Sequence, residues 1–206
     1  MKANASQESQ DWLLARCGMF TASRASDLMA RTKTGPGAAR GNLLALLAVE
    51  RLTGQPVEGY RNAAMERGID LEAEARDAYS FATGNAVDEA GFVLCGELPN
   101  TGCSPDGVVG DGLLEIKCPA SMAKHLDAIR SGDHAKEYRW QLQHQMLVTA
   151  APWVDAVSYD PRFPEHLQLA IVRVERDESA IAELREAIKA ADAEVEAIVN
   201  ELRSKA

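Results

Sequence analysis

The segment from Ser104 to Pro119 constrains the fold of this chain more than any other part of the sequence. Two apolar pairs, Val108-Val109 and Leu113-Leu114, flank the tripeptide Gly110-Asp111-Gly112. Glycines adopt the positive φ angles of tight turns without strain, so this pattern predicts a β-hairpin. Successive side chains of its second strand must point to opposite faces of the sheet.

The predicted hairpin also concentrates charge at one point. Glu115 and Lys117 lie two residues apart on the second strand, so they share a face and stand roughly 7 Å apart, while Ile116 points into the core. Folding the hairpin brings Asp106 beside Glu115. Two carboxylates and one ammonium suit the binding of Mg²⁺ and the cleavage of a phosphodiester.

A simpler interpretation of the same residues is a solvated sheet face with a weak ion pair, because a Glu and a Lys at this spacing are common on strands. Short motifs also match by chance. The preceding Pro105-Asp106 pair, the length of the turn and the apolar flanks favour the nuclease interpretation.

The amino-acid sequence of the hairpin, T-G-C-S-P-D-G-V-V followed by L-E-I-K-C-P, resembles that of the alkaline exonucleases of the lambda-phage type. These enzymes belong to the restriction-endonuclease-like superfamily, whose motif is P-D followed by E-x-K. Further similar segments occur in the family's order between residues 12 and 180: Trp12–Ser23, Ala64–Arg76, Gln141–Gln143, Tyr159–Arg162 and Val174–Glu178.

The resemblance implies a restriction-endonuclease-like α/β fold, with a central mixed β-sheet flanked by α-helices. It implies a Mg²⁺-dependent exodeoxyribonuclease, with Mn²⁺ able to substitute, that digests one strand of linear double-stranded DNA from 5′ ends in phage-type homologous recombination. The implied partners are DNA with 5′-phosphate ends, a single-strand-annealing recombinase and two further copies of the chain in a homotrimeric ring.

The chemistry of phosphodiester hydrolysis suggests roles for the residues of the hairpin. Asp106 and Glu115 are the expected metal ligands, and the backbone carbonyl of Ile116 offers a further oxygen. Lys117 is expected to hold the attacking water and to stabilise charge in the transition state.

The resemblance adds two residues to this site. It makes Glu72, on a predicted helix over 63–83, a metal ligand, although only the spacing from Gly68 distinguishes Glu72 from other acids of that helix. It also places Gln141 beside the metal or the scissile phosphate. The alternative for Gln141 is a polar residue on an exposed helix face.

Arg16 and Ser23 correspond to the family's pocket for the 5′-terminal phosphate. A guanidinium binds phosphate in a bidentate way, and a hydroxyl at a helix start lies near exposed N–H donors. An ordinary surface arginine and an N-cap serine are the competing interpretations. The family's additional acid before the P-D pair falls at Gly96 here, with Glu97 beside it, so a role for that acid is open.

Length and composition predict a single nuclease domain over 1–206, since 46% hydrophobic and 26% charged residues are ordinary for globular proteins. No apolar run is long enough to cross a membrane, and residues 1–10 lack the apolar stretch of a signal peptide, so we expect a cytoplasmic protein. The four cysteines lack zinc spacing and are expected to be small, buried and apolar.

The net charge of −9 disfavours a protein that coats DNA, but the charge is unevenly distributed. Residues 1–61 carry 8 basic and 5 acidic side chains, and the rest of the chain is strongly acidic. The predicted basic tract consists of Arg16, Arg24, Arg31, Lys33 and Arg40.

Periodicity predicts the remaining elements. We expect two short helices within 11–30, with Thr21 or Ser23 as a cap, and a mobile basic loop over 31–41 that could close over phosphates. Further helices are expected over 42–53, 63–83, 121–131, 136–149 and 177–203, and strands over 86–95, 101–109, 113–117, 153–159 and 167–174. The last helix has a heptad seam that packs on its own domain or on a partner helix: Ile181, Leu184, Ile188, Ala191, Val195, Ile198 and Leu202.

Other functions remain open at this point. Helicase-linked and repair-type nucleases of the superfamily carry Q-x3-Y after the site and iron–sulfur cysteines, whereas this chain has Gln145 where the tyrosine would be. A DNA-end-binding assembly protein with weak catalysis is a second alternative. A sequence-specific endonuclease would need an additional recognition segment. Among the histidines, His144 alone lies near Gln141 in the sequence.

Overall fold

A four-stranded mixed sheet forms the centre of the computed structural model, which describes residues 10–57 and 63–205. The helices are α1 Gln10–Arg16, α2 Ala25–Leu28, α3 Ala38–Thr53, α4 Ala63–Thr83, α5 Met122–Ser131, α6 His134–Glu137, α7 Arg139–Thr149 and α8 Glu178–Arg203. The strands are β1 Phe20–Thr21, β2 Arg31–Thr32, β3 Gly35–Pro36, β4 Val93–Leu94, β5 Thr101–Cys103, β6 Gly107–Val109, β7 Gly112–Lys117, β8 Trp153–Tyr159 and β9 Leu169–Glu175.

The central sheet has the strand order β6-β7-β8-β9. Strands β6 and β7 form the predicted antiparallel hairpin, in which Gly110 takes a φ of 59°. Strand β8 runs parallel to β7, and α5, α6 and α7 supply the long crossover that a parallel pair requires. A smaller sheet has the order β1-β5-β4. The predicted mixed α/β fold with flanking helices is confirmed.

The alternation of side chains along β7 determines which helix covers each face. Leu114 and Ile116 pack in one core cluster with Tyr79 of α4. Leu113 packs in the other cluster with Leu142 of α7, and α8 adds its apolar face there. Residues 115 and 117 therefore point toward the side of the sheet that α7 covers.

Helix α8 packs on its own domain, as one of the two interpretations of its seam predicted. The predicted seam is wrong at its end, because Ile198 and Leu202 are 37% and 43% exposed while Val199 is buried. A straight α-helix has 3.6 residues per turn, so Val199 lies five full turns after Ile181 and shares its direction. A strict heptad drifts away from that face.

Three predicted segments differ from the structure. Residues 31–36 form the short hairpin β2–β3 instead of an irregular loop, and α3 begins at Ala38 instead of residue 42. The predicted strand 101–109 divides into β5 and β6, which belong to different sheets, because Pro105 between them lacks the N–H that a ladder needs.

The predicted strand 86–95 is also largely wrong. Regular pairing is confined to β4, and Asp88 forms an isolated bridge to Val108 of β6. This segment leaves the edge of the central sheet and joins the smaller one, so it cannot remain in a single ladder.

All four cysteines are free thiols. Cys103 and Cys118 are buried as predicted, whereas Cys17 and Cys95 are partly exposed. Across the described ranges, no helix combines the length and the apolar character needed to span a membrane.

Candidate active site

The β6–β7 hairpin brings Asp106 next to Glu115. The backbone N–H of Asp106 donates to the Leu114 carbonyl at 3.1 Å, which extends the ladder beyond Gly107. One carboxylate oxygen of Asp106, Oδ2, accepts the backbone N–H of Ile116 at 2.7 Å. This bond fixes the Asp106 carboxylate across β7 and close to Glu115.

Glu115 is almost completely buried, with 3% of its surface exposed, and its two oxygens accept three donors. Oε1 accepts Lys117 Nζ at 2.5 Å and also accepts Gln141 Nε2. Oε2 accepts Gln145 Nε2 at 2.5 Å. The structure thus brings together four of the residues to which catalytic roles were assigned, and it adds Gln145.

The pKa of Lys117 is shifted by opposing effects. Burial lowers the pKa of the ammonium, but the negative charges of Glu115 and Asp106 outweigh burial, and the net shift is upward. The ammonium also lies 4.8 Å from the centroid of the Tyr138 ring, within the range of a cation–π contact. Lys117 is therefore a fixed cation beside the two carboxylates.

The surroundings of Asp106 disfavour its charged form. Burial and the charge of Glu115 raise the pKa of its carboxyl well above the usual range, and Glu72 adds to this effect against the opposition of Lys117. A hard divalent cation placed here would offset the crowded negative charge.

The oxygen donors of this site fit Mg²⁺. Among the described residues, no three His, Cys, Asp or Glu side chains are arranged to hold a metal by themselves. Mg²⁺ needs no such cage, because it retains several waters and takes one or two carboxylates together with phosphate oxygens of the substrate. Asp106 and Glu115 meet that requirement.

Glu72 lies beside this site on α4, where its carboxylate forms an ion pair with Arg76 one turn later. Arg76 also donates to the backbone carbonyl of Asp106 at 3.3 Å and to Glu89 at 3.2 Å. Arg76 therefore connects α4 to the hairpin, a contact that the sequence did not indicate. A role for Glu72 as a metal ligand would require its ion pair to open, and it stays a prediction.

Arg16 and Ser23 lie together, as the phosphate-pocket prediction required. Arg16 donates to Ser23 Oγ at 3.3 Å and to Ser104 Oγ at 3.4 Å, and Ser104 also accepts Trp12 Nε1 at 2.9 Å. The Trp12 ring covers the guanidinium, with its centroid 4.0 Å from Cζ. Ser104 precedes Asp106 by two residues, so it connects this pocket to the carboxylates.

Arg16 makes no ion pair within the described part of the chain. Burial lowers the pKa of its guanidinium to about 10, and the neighbouring charge of Arg24 acts in the same direction. At this pKa the group remains a cation at neutral pH. Among the described residues its donors have only hydroxyl partners, which suits an incoming phosphate.

The main chain after Arg16 is held by α3. Gly18 has a φ of 71°, and its N–H donates to Glu50 at 2.7 Å while its carbonyl accepts Arg51 Nε at 2.9 Å. A Cβ at this position would lie 2.7 Å from the Arg51 side chain, so glycine is required. These bonds position the C-terminal end of α1, from which Arg16 extends.

The predicted helix cap was wrong, and the predicted basic tract is largely paired with acids. Neither Thr21 nor Ser23 caps a helix, since no side-chain cap bond occurs at the starts of the two short helices that follow β1. The basic tract is mostly neutralised, by the ion pairs Arg24–Asp27, Arg31–Glu183 and Arg40–Glu194. A role for this tract in closing over phosphates would require these ion pairs to open, and it stays a prediction.

Glu97 and His144 have other environments. Glu97 forms an exposed ion pair with Arg185 of α8 at 3.0 Å. His144 is fully buried, and neither ring nitrogen has a hydrogen-bond partner of good geometry among the described residues. Burial lowers the pKa of His144 to about 4, opposed only in part by the Phe20 backbone.

Known proteins resemble this chain in sequence and in structure. The profile of the YqaJ-like viral recombinase domain matches residues 11–152. The alkaline exonuclease LHK-Exo from Laribacter hongkongensis is 42% identical, over 96% of this chain and 97% of that chain, with a TM-score of 0.87. Its complex with dAMP has the same identity and coverage and a TM-score of 0.88.

A more distant structure shares the fold alone. The phage-related exonuclease from Haemophilus somnus 129PT is 16% identical, over 89% of this chain and 96% of that chain, with a TM-score of 0.73. No curated protein matches the chain.

Proposed function

This chain belongs to the YqaJ-like viral recombinase family and is an exonuclease of the phage-recombination type, and we propose that it digests one strand of linear duplex DNA from 5′ ends with Mg²⁺. The observation that carries this proposal is the proximity of two groups of residues. Asp106, Glu115, Lys117 and Gln141 form a partly buried hydrolytic cluster, and Ser104 joins that cluster to the phosphate pocket around Arg16.

Asp106 and Glu115 would hold the metal, together with the carbonyl of Ile116 and, once its ion pair opens, Glu72. Bound Mg²⁺ supplies a Lewis acid at the phosphoryl oxygen and a more acidic water. Lys117 holds the attacking water and neutralises the charge that develops on the phosphorus oxygens. Gln141 holds the Glu115 carboxylate in place and lies beside the phosphate.

Arg16 and Ser23 would bind the terminal 5′-phosphate. The guanidinium is held by the Trp12 ring and by two hydroxyls and has no carboxylate competing for it in the described residues, so phosphate gains charge-assisted hydrogen bonds. Anchoring the end in this pocket places a neighbouring phosphodiester over Asp106 and Glu115. This arrangement accounts for attack at ends.

The wider setting of the enzyme is also part of the proposal. We propose a homotrimeric ring around the DNA, a single-strand-annealing recombinase that takes up the exposed strand, and Mn²⁺ as a substitute metal. Four free thiols suit the reducing cytoplasm, where we place the protein.

The alternatives have less support. In the described part of the chain the cysteines form no metal-binding group, which disfavours a helicase-linked nuclease with an iron–sulfur cluster. An inactive end-binding protein would have no use for a half-buried lysine whose ammonium contacts Glu115 and feels the charge of Asp106.

The direct test uses linear duplexes labelled at their 3′ ends and carrying either 5′-phosphate or 5′-hydroxyl, beside a closed circle, with and without Mg²⁺. We expect digestion of the linear duplexes with Mg²⁺, a preference for 5′-phosphate and an intact circle. Arg16→Gln should reduce that preference about tenfold by removing charge-assisted bonds. Arg130→Gln, which changes an exposed arginine of α5, is the matched control.

Two outcomes would contradict the proposal. Cleavage of the closed circle would show an endonuclease. Digestion at the same rate in the presence of a metal chelator would show that the reaction needs no metal. Equal rates on both kinds of end would remove the role of Arg16 while leaving the hydrolytic site intact.

A further inference from the structure

The buried amide of Gln145 contacts the centre of the hydrolytic cluster. Gln145 follows Gln141 by one helical turn on α7, so both side chains leave the same face of the helix. Gln145 is fully buried, and its Nε2 donates to Glu115 Oε2 at 2.5 Å. The orientation of the amide follows from chemistry, because an ionised carboxylate only accepts hydrogen bonds.

The acceptor capacity of Glu115 distinguishes its two oxygens. Each carboxylate oxygen has two lone-pair positions. Oε1 uses both of them, for Lys117 and for Gln141, whereas Oε2 accepts Gln145 alone within the described residues. The oxygen with a remaining lone pair is thus the one that Gln145 holds.

The oxygen of the Gln145 amide accepts no hydrogen bond from the described residues. This oxygen, Oε1, is buried. An unpaired buried acceptor destabilises a folded protein. A glutamine at this position is therefore better explained by its contact with Glu115 than by stability.

Gln143 provides a contrast on the same helix. It is equally buried, but its Nε2 donates to the Glu175 carbonyl at 2.9 Å and its Oε1 accepts the Asp177 N–H at 2.9 Å. Both halves of the Gln143 amide are satisfied, and they join α7 to the start of α8. The contacts of Gln143 are those of a residue that stabilises the fold, whereas those of Gln145 are directed at Glu115 alone in the described residues.

We propose that Gln145 is a positioning residue, which holds Oε2 of Glu115 so that its remaining lone pair faces the metal position. This inference rests on the proposed metal-dependent function. Without the amide, the carboxylate would rotate about its terminal bond and would have to be ordered again each time the metal binds. The cost would appear in the Mg²⁺ requirement more than in the rate at saturating metal.

The test uses the full-length protein and Gln145→Met, which keeps the approximate length of the side chain and removes the donor. Rates on a 5′-phosphorylated linear duplex are measured against Mg²⁺ concentration, and Mg²⁺ binding by each protein without DNA is measured by calorimetric titration. We expect the half-saturating Mg²⁺ concentration to rise about tenfold or more, as for other residues that orient metal ligands, with most of the rate recovered at high Mg²⁺. Gln143→Met should lower the thermal midpoint and leave the Mg²⁺ requirement unchanged.

The inference is overturned if Gln145→Met has the wild-type Mg²⁺ requirement, or if Gln143→Met raises that requirement as much. Should Gln145→Met not fold, Gln145→Asn carries the same expectation, because its amide is one methylene too short to keep the 2.5 Å contact. A wild-type enzyme that needs no Mg²⁺ would instead defeat the proposed function, so the two failures are distinguishable.

Discussion

Lys117 shows at the scale of one residue how the site combines burial with charge. Its ammonium contacts Glu115 at 2.5 Å and lies over the Tyr138 ring, while 30% of the side chain remains accessible. A cation that is held by its neighbours and still open to solvent can meet both a water and a phosphate oxygen. The same contact with Glu115 that holds Lys117 also orients the carboxylate.

We expect Lys117→Met to lower the rate of digestion at saturating Mg²⁺ by about 10²- to 10³-fold, because a fixed group that stabilises the transition state is lost. The measurement is single-turnover digestion of a 5′-phosphorylated duplex. Lys189→Met, on the exposed face of α8 and paired only with Glu186 in the described residues, should retain the wild-type rate. A near-normal rate for Lys117→Met would remove this lysine from the mechanism.

At the scale of elements, α7 serves the site and the core at once. One side of the helix presents Gln141 and Gln145 to Glu115, and the other presents Leu142 and Met146 to the core. His144 lies within this buried helix without a partner of good geometry in the described residues. The imidazole of His144 must therefore remain neutral in the folded protein.

The low pKa of His144, about 4 in place of 6.5, predicts that acid destabilises the protein. At His144 the unfolded chain binds a proton at a higher pH than the folded chain does. The stability that depends on a neutral His144 is therefore fully present above pH 6.5 and is lost as pH falls toward 4. The loss reaches about 3 kcal/mol in the free energy of unfolding. Urea unfolding at several pH values measures it.

His144→Met should flatten this part of the pH profile, whereas His166→Gln, which changes an exposed histidine, should not. If both variants follow the wild-type profile between pH 6.5 and 4, the acid sensitivity arises elsewhere in the protein.

On the scale of the whole molecule, the acidic balance of the chain bears on how it holds DNA. Three arginines of the basic tract already pair with acids of the chain itself, so a lone copy presents little free positive charge from that tract. Enclosure of the duplex by several copies would retain the substrate without a strongly basic surface.

We therefore expect the proposed trimer in solution at micromolar concentration. Light scattering coupled to size-exclusion chromatography should give three times the mass of one chain, and digestion should be processive when an excess of unlabelled duplex is added after the start. A monomeric mass together with distributive digestion would overturn the ring without affecting the chemistry of Glu115 and Lys117.

Local features of this protein could be predicted from its amino-acid pattern. Turn residues between apolar pairs specified the β6–β7 hairpin, and helical periodicity specified α4 and α8, since both patterns depend on neighbours within a few positions. The juxtaposition of Asp106, Glu115 and Lys117 followed from the same local geometry. Strand pairing around Pro105 did not, because which sheet a short strand joins depends on distant partners.

The distant residues that complete the proposed site became apparent only in the packed fold. Gln145 and Arg76 each meet the hairpin across 30 positions of sequence, and Trp12 meets Ser104 across 92. Contacts of this kind arise when helices pack on opposite faces of β7, and no local periodicity encodes them. The residues to which we assign the chemistry could thus be predicted from a motif, whereas those that hold them in place required the packed fold.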